Sequence, residues 1–276
     1  MNFVIFGANG FIGSRLGNYL IKLGHTVFAI YNKKRSNICS EAYLVNLLEF
    51  KSVSESIDAV YFMAGSYAST YQELIDINTN LLRDVSIHFP KSKLIFISST
   101  DIYGFHKDVL DIESCYNNPS NYGLSKIAGE LVVRNHSSYA IIRLCYTYGP
   151  QMRNNSFIPN IIKQAIENRK IVIYGSGDRF QDYLFIDDAL DLCYLSFLYD
   201  SNDIFIGATG LSISNKIIAE IVVKRISGSS IEYLGQETGN SIYINPAKTF
   251  SKLDWKPKIP IETGINLTID ACANLW

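Results

Sequence analysis

A short apolar run, Asn2–Phe6, leads directly into Gly7-Ala8-Asn9-Gly10-Phe11-Ile12-Gly13, which opens a segment with helical spacing (Ile12, Leu16, Leu20, Leu23) closed by Gly24. This strand, glycine turn and helix constrain the fold more than any other feature of the chain. The glycines permit a tight turn and let backbone N–H groups approach a pyrophosphate at a helix N-terminus, where the helix dipole also favours negative charge. An ordinary strand-to-helix turn is the competing reading. The context, directly after a strand and opening a helix, favours a dinucleotide site.

The rest of the first half repeats the alternation. Thr26–Ile30, Ala59–Met63, Lys93–Ser98 and Ala140–Leu144 read as buried strands, with helices at Asp76–Phe89, ended before Pro90, and at Tyr122–Asn135. Strands separated by helices imply right-handed crossovers and a parallel sheet. After Pro150 the pattern gives helices at Ile161–Asn168, Asp187–Tyr199 and Ser214–Arg225, with short strands at Ile171–Tyr174, Ile204–Ile206 and Ile231–Leu234. The expected fold is α/β: a Rossmann-type doubly wound parallel sheet over residues 1–150, with 181–206 returning to it. Residues 151–180 and 207–276 form a smaller C-terminal α/β substrate lobe. No hydrophilic linker or repeat separates the halves.

Charge narrows the function classes. The 25 Lys+Arg against 26 Asp+Glu leave a net charge of −1, which offers no footprint for nucleic acid or an anionic membrane. No apolar run approaches the roughly 18–20 residues that span a bilayer. The N-terminus shows no basic region or cleavage site, so no secretory signal is expected. Cys39, Cys115, Cys145, Cys193 and Cys272 are scattered without C-x-x-C spacing, as are the four histidines. Reduced thiols, a cytoplasmic location and no metal site are the expectation.

An NAD site carries an acid about 20 residues after its glycine turn, bonding the ribose 2′-OH. Here no Asp or Glu occurs between Ser14 and Ser40; instead Tyr31-Asn32-Lys33-Lys34-Arg35 follows the second strand, with Arg15 in the first helix. These cations attract a 2′-phosphate, unless the run is a solvated loop. NADP(H) is favoured over NAD(H).

Tyr122-Gly123-Leu124-Ser125-Lys126 places a phenol and an ammonium four apart on one helix face. A nearby cation lowers a phenol toward the range useful for proton transfer. Upstream, Ser98-Ser99-Thr100-Asp101-Ile102-Tyr103-Gly104 leaves a strand at its C-terminal end, where open α/β sheets place ligands. Downstream of a dinucleotide turn, this is not a chance helix pair.

On these residues the chain resembles the extended short-chain dehydrogenase/reductases of the nucleotide-sugar epimerase/dehydratase group. The likeness covers nearly the whole chain: the Gly7–Gly13 turn, Ala59–Gly65, the Ser99/Tyr122/Lys126 set, and Arg143-Leu144 with Tyr148-Gly149-Pro150. It continues through Ile173–Gly177, Asp182-Tyr183, Ile186-Asp187-Asp188 and Leu253-Asp254-Trp255-Lys256-Pro257. The resemblance implies that Tyr122 exchanges a proton with a sugar oxygen, Lys126 lowers its pKa and holds the nicotinamide ribose, and Ser99 orients the oxygen. Cofactor contacts would come from Gly7, Asn9, Gly10, Phe11, Ile12, Tyr31, Asn32, Lys33, Lys34, Arg35, Met63, Ala64, Gly65 and Asn78, besides Tyr122 and Lys126. Substrate contacts would come from Ser99, Thr100, Asp101, Tyr146, Ser156, Arg179 and Gln181.

Departures narrow the chemistry. Where the family's dehydratases carry Asp-Glu after the catalytic hydroxyl, Thr100 and Asp101 stand, which disfavours 4,6-dehydration; Asp101 also reads as a plain loop residue. Tyr146 stands where Asn is frequent, and Gln181 stands where an arginine precedes Asp-Tyr, with Arg179 two residues earlier. A later family arginine has no match around Ser241-Ile242-Tyr243. The expected activity is NADPH-dependent reduction of an NDP-4-keto-6-deoxy sugar at C4 for surface polysaccharide of the O-antigen type, by a homodimer whose partner is a nucleotide sugar. The alternatives are an NAD-dependent NDP-sugar 4-epimerase and, in a different class, an NADP-sensing binding protein.

Overall fold

The computed structural model describes residues 1–32, 41–65, 69–152 and 156–273. β1 (Asn2–Phe6) enters the glycine turn and α1 (Phe11–Lys22) leaves it. β2 (Thr26–Tyr31), β3 (Tyr43–Asn46) and β4 (Ala59–Phe62) follow, with a 3-10 segment at Leu47–Ser52. α2 (Tyr71–Ile75), a π-helical turn at Asp76–Leu81 and α3 (Leu82–His88) are consecutive. Then come β5 (Lys93–Ser99), a 3-10 turn at Thr100–Tyr103, α4 (Asn121–Val133), β6 (Tyr139–Leu144) and β7 (Tyr146–Tyr148). The chain continues through α5 (Phe157–Asn168), β8 (Lys170–Tyr174), β9 (Phe180–Phe185), α6 (Ile186–Leu198) and β10 (Asp203–Gly207). β11 (Ser212–Ser214), α7 (Asn215–Arg225), β12 (Ser230–Leu234), α8 (Ala247–Leu253) and α9 (Ile261–Ala273) complete it.

Seven strands form one parallel sheet in the order β10-β6-β5-β4-β1-β2-β3, with helices on its flanks. This is the Rossmann-like α/β fold expected. The order reverses between β1 and β4, which pair as Phe6↔Phe62, so the glycine turn leaves the sheet at its switch point. Both faces of the central strands are covered, which is why they read as unbroken apolar runs. On one face Phe6 stacks on Phe62 at 5.6 Å between ring centroids, and Phe62 lies 6.2 Å from Phe96. On the other, Phe3 meets Phe197 edge-on at 5.0 Å and the Tyr61 hydroxyl donates to the Cys193 carbonyl.

The chain divides into two compact units. The first comprises Met1–Gly104, Ser114–Leu144 and Leu190–Gly207; the second comprises Phe105–Glu113, Cys145–Ala189 and Ala208–Trp276. Within the second, β11-β9-β7 form a three-stranded sheet and β12 pairs with β8 in parallel. Two acids of the family-like motifs brace this unit. Asp182 accepts bonds from the Thr209 amide and hydroxyl (both 2.8 Å) and the Gly210 amide (2.7 Å), and Asp188 accepts from the Lys258 and Ile259 amides.

The helix expected at Asp76–Phe89 begins earlier. Thr70 caps α2, and Glu73 bonds back to the Thr70 amide at 2.7 Å, a capping box legible as Thr-x-x-Glu. The continuation is wound as a π turn, which puts one extra residue into the run and turns Asn78 inward, where it is fully buried.

Candidate active site

At the glycine turn a Cβ on Gly7, whose φ is +87°, would lie 2.8 Å from the Met63 carbonyl, and one on Gly13 would lie 2.2 Å from the Gly7 carbonyl oxygen. The turn therefore closes only with glycine at both places. Gly10 caps α1 without a side chain, and no acid stands in the first turn. That helix end suits an anion, so Gly7, Asn9, Gly10, Phe11 and Ile12 fit a dinucleotide pyrophosphate. Met63, Ala64 and Gly65 leave β4 beside this turn, the Met63 amide donating to the Phe6 carbonyl at 3.0 Å. Arg15 is folded back on Phe11, its guanidinium 4.5 Å from the ring centroid. Tyr31 and Asn32 stand at the end of β2, Tyr31 half-buried and Asn32 exposed; Lys33, Lys34 and Arg35 lie outside the described residues.

The proton-transfer candidates meet where α4 packs on β5. The Lys126 side chain is buried, its Nζ 5.5 Å from the Tyr122 ring centroid and 4.8 Å from that of Phe96. Nζ donates to the Ile97 carbonyl at 3.0 Å and to Asn78 Oδ1 at 3.4 Å, while the Asn78 amide donates to Ser125 Oγ at 3.1 Å. The π turn thus delivers an acceptor to the lysine. Burial pushes the Lys126 amine down to about 7, against an opposing pull from the Glu130 charge. Burial and the Asp101 carboxylate push the Tyr122 phenol above its usual range. A phenol is lowered by a neighbouring amine only while that amine is charged, so the role expected of Lys126 depends on its protonation.

Ser99 ends β5, and its Oγ accepts the Asp101 amide at 3.1 Å. Thr100 is buried. The Asp101 carboxylate accepts the hydroxyl of Ser120, which is the N-cap of α4 and itself accepts the Gly123 amide at 3.1 Å. Asp101 is therefore tied to the start of the helix that carries Tyr122.

In the second unit the substrate candidates gather on their own. The Tyr146 hydroxyl accepts the Ile158 amide at 3.3 Å at the start of α5, bonds with Ser156, and feels the Arg179 charge. Gln181 Oε1 lies 3.3 Å from the Tyr183 hydroxyl, which is 3.2 Å from Asn215 Oδ1. Arg179 lines a cavity of about 830 Å³ together with Asn160, Gln164, Ile173, Asn215 and Glu237. Its Nε donates to the Asn240 carbonyl at 3.1 Å, and a Cβ on Gly239 would lie 2.5 Å from its Cζ, so a glycine at 239 makes room for the guanidinium. The sequence reading missed Asn160, Gln164, Asn215 and Glu237 as cavity residues. The one available signal was the glycine in Glu237-Thr238-Gly239-Asn240, which reads as a turn until Arg179 is seen beside it.

A parallel sheet with a glycine turn at its switch point, Ser99 at the carboxyl end of β5 and Lys126 beside the Tyr122 ring on α4 fits a dinucleotide-dependent enzyme. The chain belongs to the NAD dependent epimerase/dehydratase family, whose profile matches residues 3–205. It is 26% identical over 315 residues to a UDP-glucuronate 4-epimerase of Thermodesulfobacterium geofontis, covering 97% of this chain and 95% of that protein. It is 27% identical over 293 residues to the CDP-abequose synthase of Salmonella typhimurium, covering 95% of each. Among solved structures, UDP-glucuronic acid 4-epimerase from Bacillus cereus, in complex with UDP-glucuronic acid and NAD, superposes with a TM-score of 0.87 at 21% identity over 100% of both chains. Among the described residues no helix is long and apolar enough to cross a membrane.

Proposed function

We infer that this chain reduces the C4 keto group of a nucleotide-diphosphate 4-keto-6-deoxy sugar with NADPH, giving a deoxy sugar for surface polysaccharide. The observation that carries this reading is the end of β2. Tyr31-Asn32 is followed by Lys33, Lys34 and Arg35, with no carboxylate before Ser40 to bond a free 2′-hydroxyl or repel a 2′-phosphate. An epimerase returns its hydride to the same sugar and suits a retained NAD, whereas a net reductase consumes hydride and suits a dissociable NADPH.

A nicotinamide cofactor held at the glycine turn would supply the hydride for the keto carbon. In this reading Ser99 Oγ orients the keto oxygen and Tyr122 gives it a proton. A charged Lys126, held by Asn78 and the Ile97 carbonyl, stabilises the phenolate left behind. The cavity beside Arg179 takes the nucleotide diphosphate, its guanidinium replacing the arginine absent at Gln181. A homodimer accompanies this assignment, supported by Ile87 and Leu131, exposed at 69% and 61% on α3 and α4. The second reading is an NAD-dependent 4-epimerase, favoured by the 4-epimerases among the relatives.

Calorimetry of NADPH and NADH on the cofactor-stripped protein separates them. A preference for NADPH of tenfold or more, worth about 1.4 kcal/mol, is expected. It should come with NADPH oxidation on NDP-4-keto sugars that Tyr122→Phe abolishes without loss of cofactor affinity. Tighter NADH binding with interconversion of C4 epimers would put the epimerase first. Cofactor binding without turnover on either sugar class would leave the binding-protein class.

A further inference from the structure

Tyr122, Lys126 and Glu130 follow one another at four-residue spacing and share one face of α4. Glu130 is outside the Ser, Tyr, Lys set, yet it is only 1% exposed. Its Oε1 accepts the Ser98 hydroxyl at 2.7 Å and Arg143 Nε at 3.0 Å, and its Oε2 accepts Arg143 Nη2 at 2.7 Å. Arg143, equally buried, donates through Nη1 to the Tyr103 hydroxyl at 2.8 Å, with its guanidinium 5.3 Å from that ring. Ser98 and Arg143 are register partners on β5 and β6. One carboxylate therefore fastens the helix to two neighbouring strands, one residue short of Ser99. As a plain stability device a buried ion pair does poorly, because desolvation offsets its Coulombic gain. Its place under the candidate catalytic groups calls for another account.

The surroundings of Lys126 supply it. On α4 it lies beside the Tyr122 ring, one turn before Glu130; from the π turn it faces Asn78, and from β5 the Phe96 ring and the Ile97 carbonyl. On the helical run packed alongside, Glu73, Asp76, Arg83 and Asp84 are exposed, and Asp101 on the turn after β5 acts on Tyr122. The charge opposing deprotonation of Lys126 is that of Glu130.

We propose that Glu130 is a positioning residue: bonded to Ser98 and Arg143, it fixes the register of α4 against Ser99, and from the same helix face its carboxylate opposes loss of the Lys126 proton. This rests on the reading that Lys126 serves Tyr122. The test follows the Lys126 side-chain NMR signal of lysine-labelled full-length protein against pH, assigned with Lys126→Arg. The midpoint in Glu130→Gln is expected about one unit lower than in the wild type and restored by Glu130→Asp. The alkaline loss of kcat should move down with it, and kcat at pH 8 should fall about tenfold with KM within about twofold. An unmoved midpoint, or a uniform loss of kcat with an unmoved pH profile, overturns the proposal. If Glu130→Gln does not fold, Glu130→Gln/Arg143→Met is compared with Arg143→Met alone, so that the carboxylate is the one difference, and is read by the same two outcomes. A midpoint that moves while the wild type turns over no keto sugar sinks the reductase reading and leaves the charge coupling standing.

Discussion

The Lys126 amine lies against the Phe96 ring and the Ile97 carbonyl, and burial there brings its midpoint from the free value of 10.5 to about 7. Between those two values the unfolded chain binds a proton that the folded chain does not. Stability therefore rises with pH across that window, and the penalty is fully present below pH 7. Lys126→Met should raise Tm at pH 7, and the gain should shrink as the pH approaches 10. Melting curves at pH 6, 8 and 10 check this; a gain independent of pH would assign the effect to packing instead. A residue that weakens the fold where it stands is what a functional site leaves in a sequence. The spacing of Tyr122 and Lys126 was legible because helix geometry converts four residues into one face. The bond of Asp101 to Ser120 was not, because nothing local to either residue specifies a contact across 19 positions.

Helix α4 starts at Ser120, whose hydroxyl serves two partners at once, accepting the Gly123 amide and donating to Asp101. Ser120→Ala should cost about 1 kcal/mol as a lost cap. It should also lower kcat, because the first turn carrying Tyr122 loses its tie to the end of β5; Ser120→Thr should recover most of both. Denaturant midpoints and initial rates on the three proteins decide it, and a loss of stability with unchanged kcat would confine Asp101 to a structural role. Elements of the sheet were legible where burial on both faces leaves a continuous apolar run, as in β1, β4 and β5. β9 was not read, because Gln181 and Asp182 interrupt Phe180–Phe185. Asp182 is tolerated there through donors remote in sequence, the Thr209 amide and hydroxyl, the Gly210 amide and the Cys145 thiol. β11 has three residues, too few for any alternation to register. The π turn has no sequence signature of its own, so Asn78 was named by resemblance and its inward turn came from the structure.

Across the whole molecule the candidate chemistry is divided between the units. Ser99, Tyr122 and Lys126 belong to the first, and the cavity with Arg179 belongs to the second. That division assigns different kinetic signatures to substitutions in each. Among the described residues lining the cavity, Lys170 and Arg179 are cations. Lys170 is ion-paired to Glu232 at 2.9 Å, whereas Arg179 bonds a backbone carbonyl through Nε and is only half-buried. A guanidinium placed this way offers charge-assisted bonds to a diphosphate, each worth about 1.5–3 kcal/mol. A diphosphate grip is made equally in ground and transition states, so its loss is uniform binding loss. Arg179→Ala should therefore raise KM for the nucleotide sugar by about 10- to 100-fold and leave kcat within about twofold. The Kd of the cofactor should stay unchanged, since the glycine cradle lies in the first unit. Gly239→Ala, whose Cβ would crowd the Arg179 Cζ, should reproduce the KM effect in part without removing the charge. A fall in kcat with KM unmoved would mean that Arg179 acts on the reacting sugar, and the diphosphate would then have to be held elsewhere in the cavity.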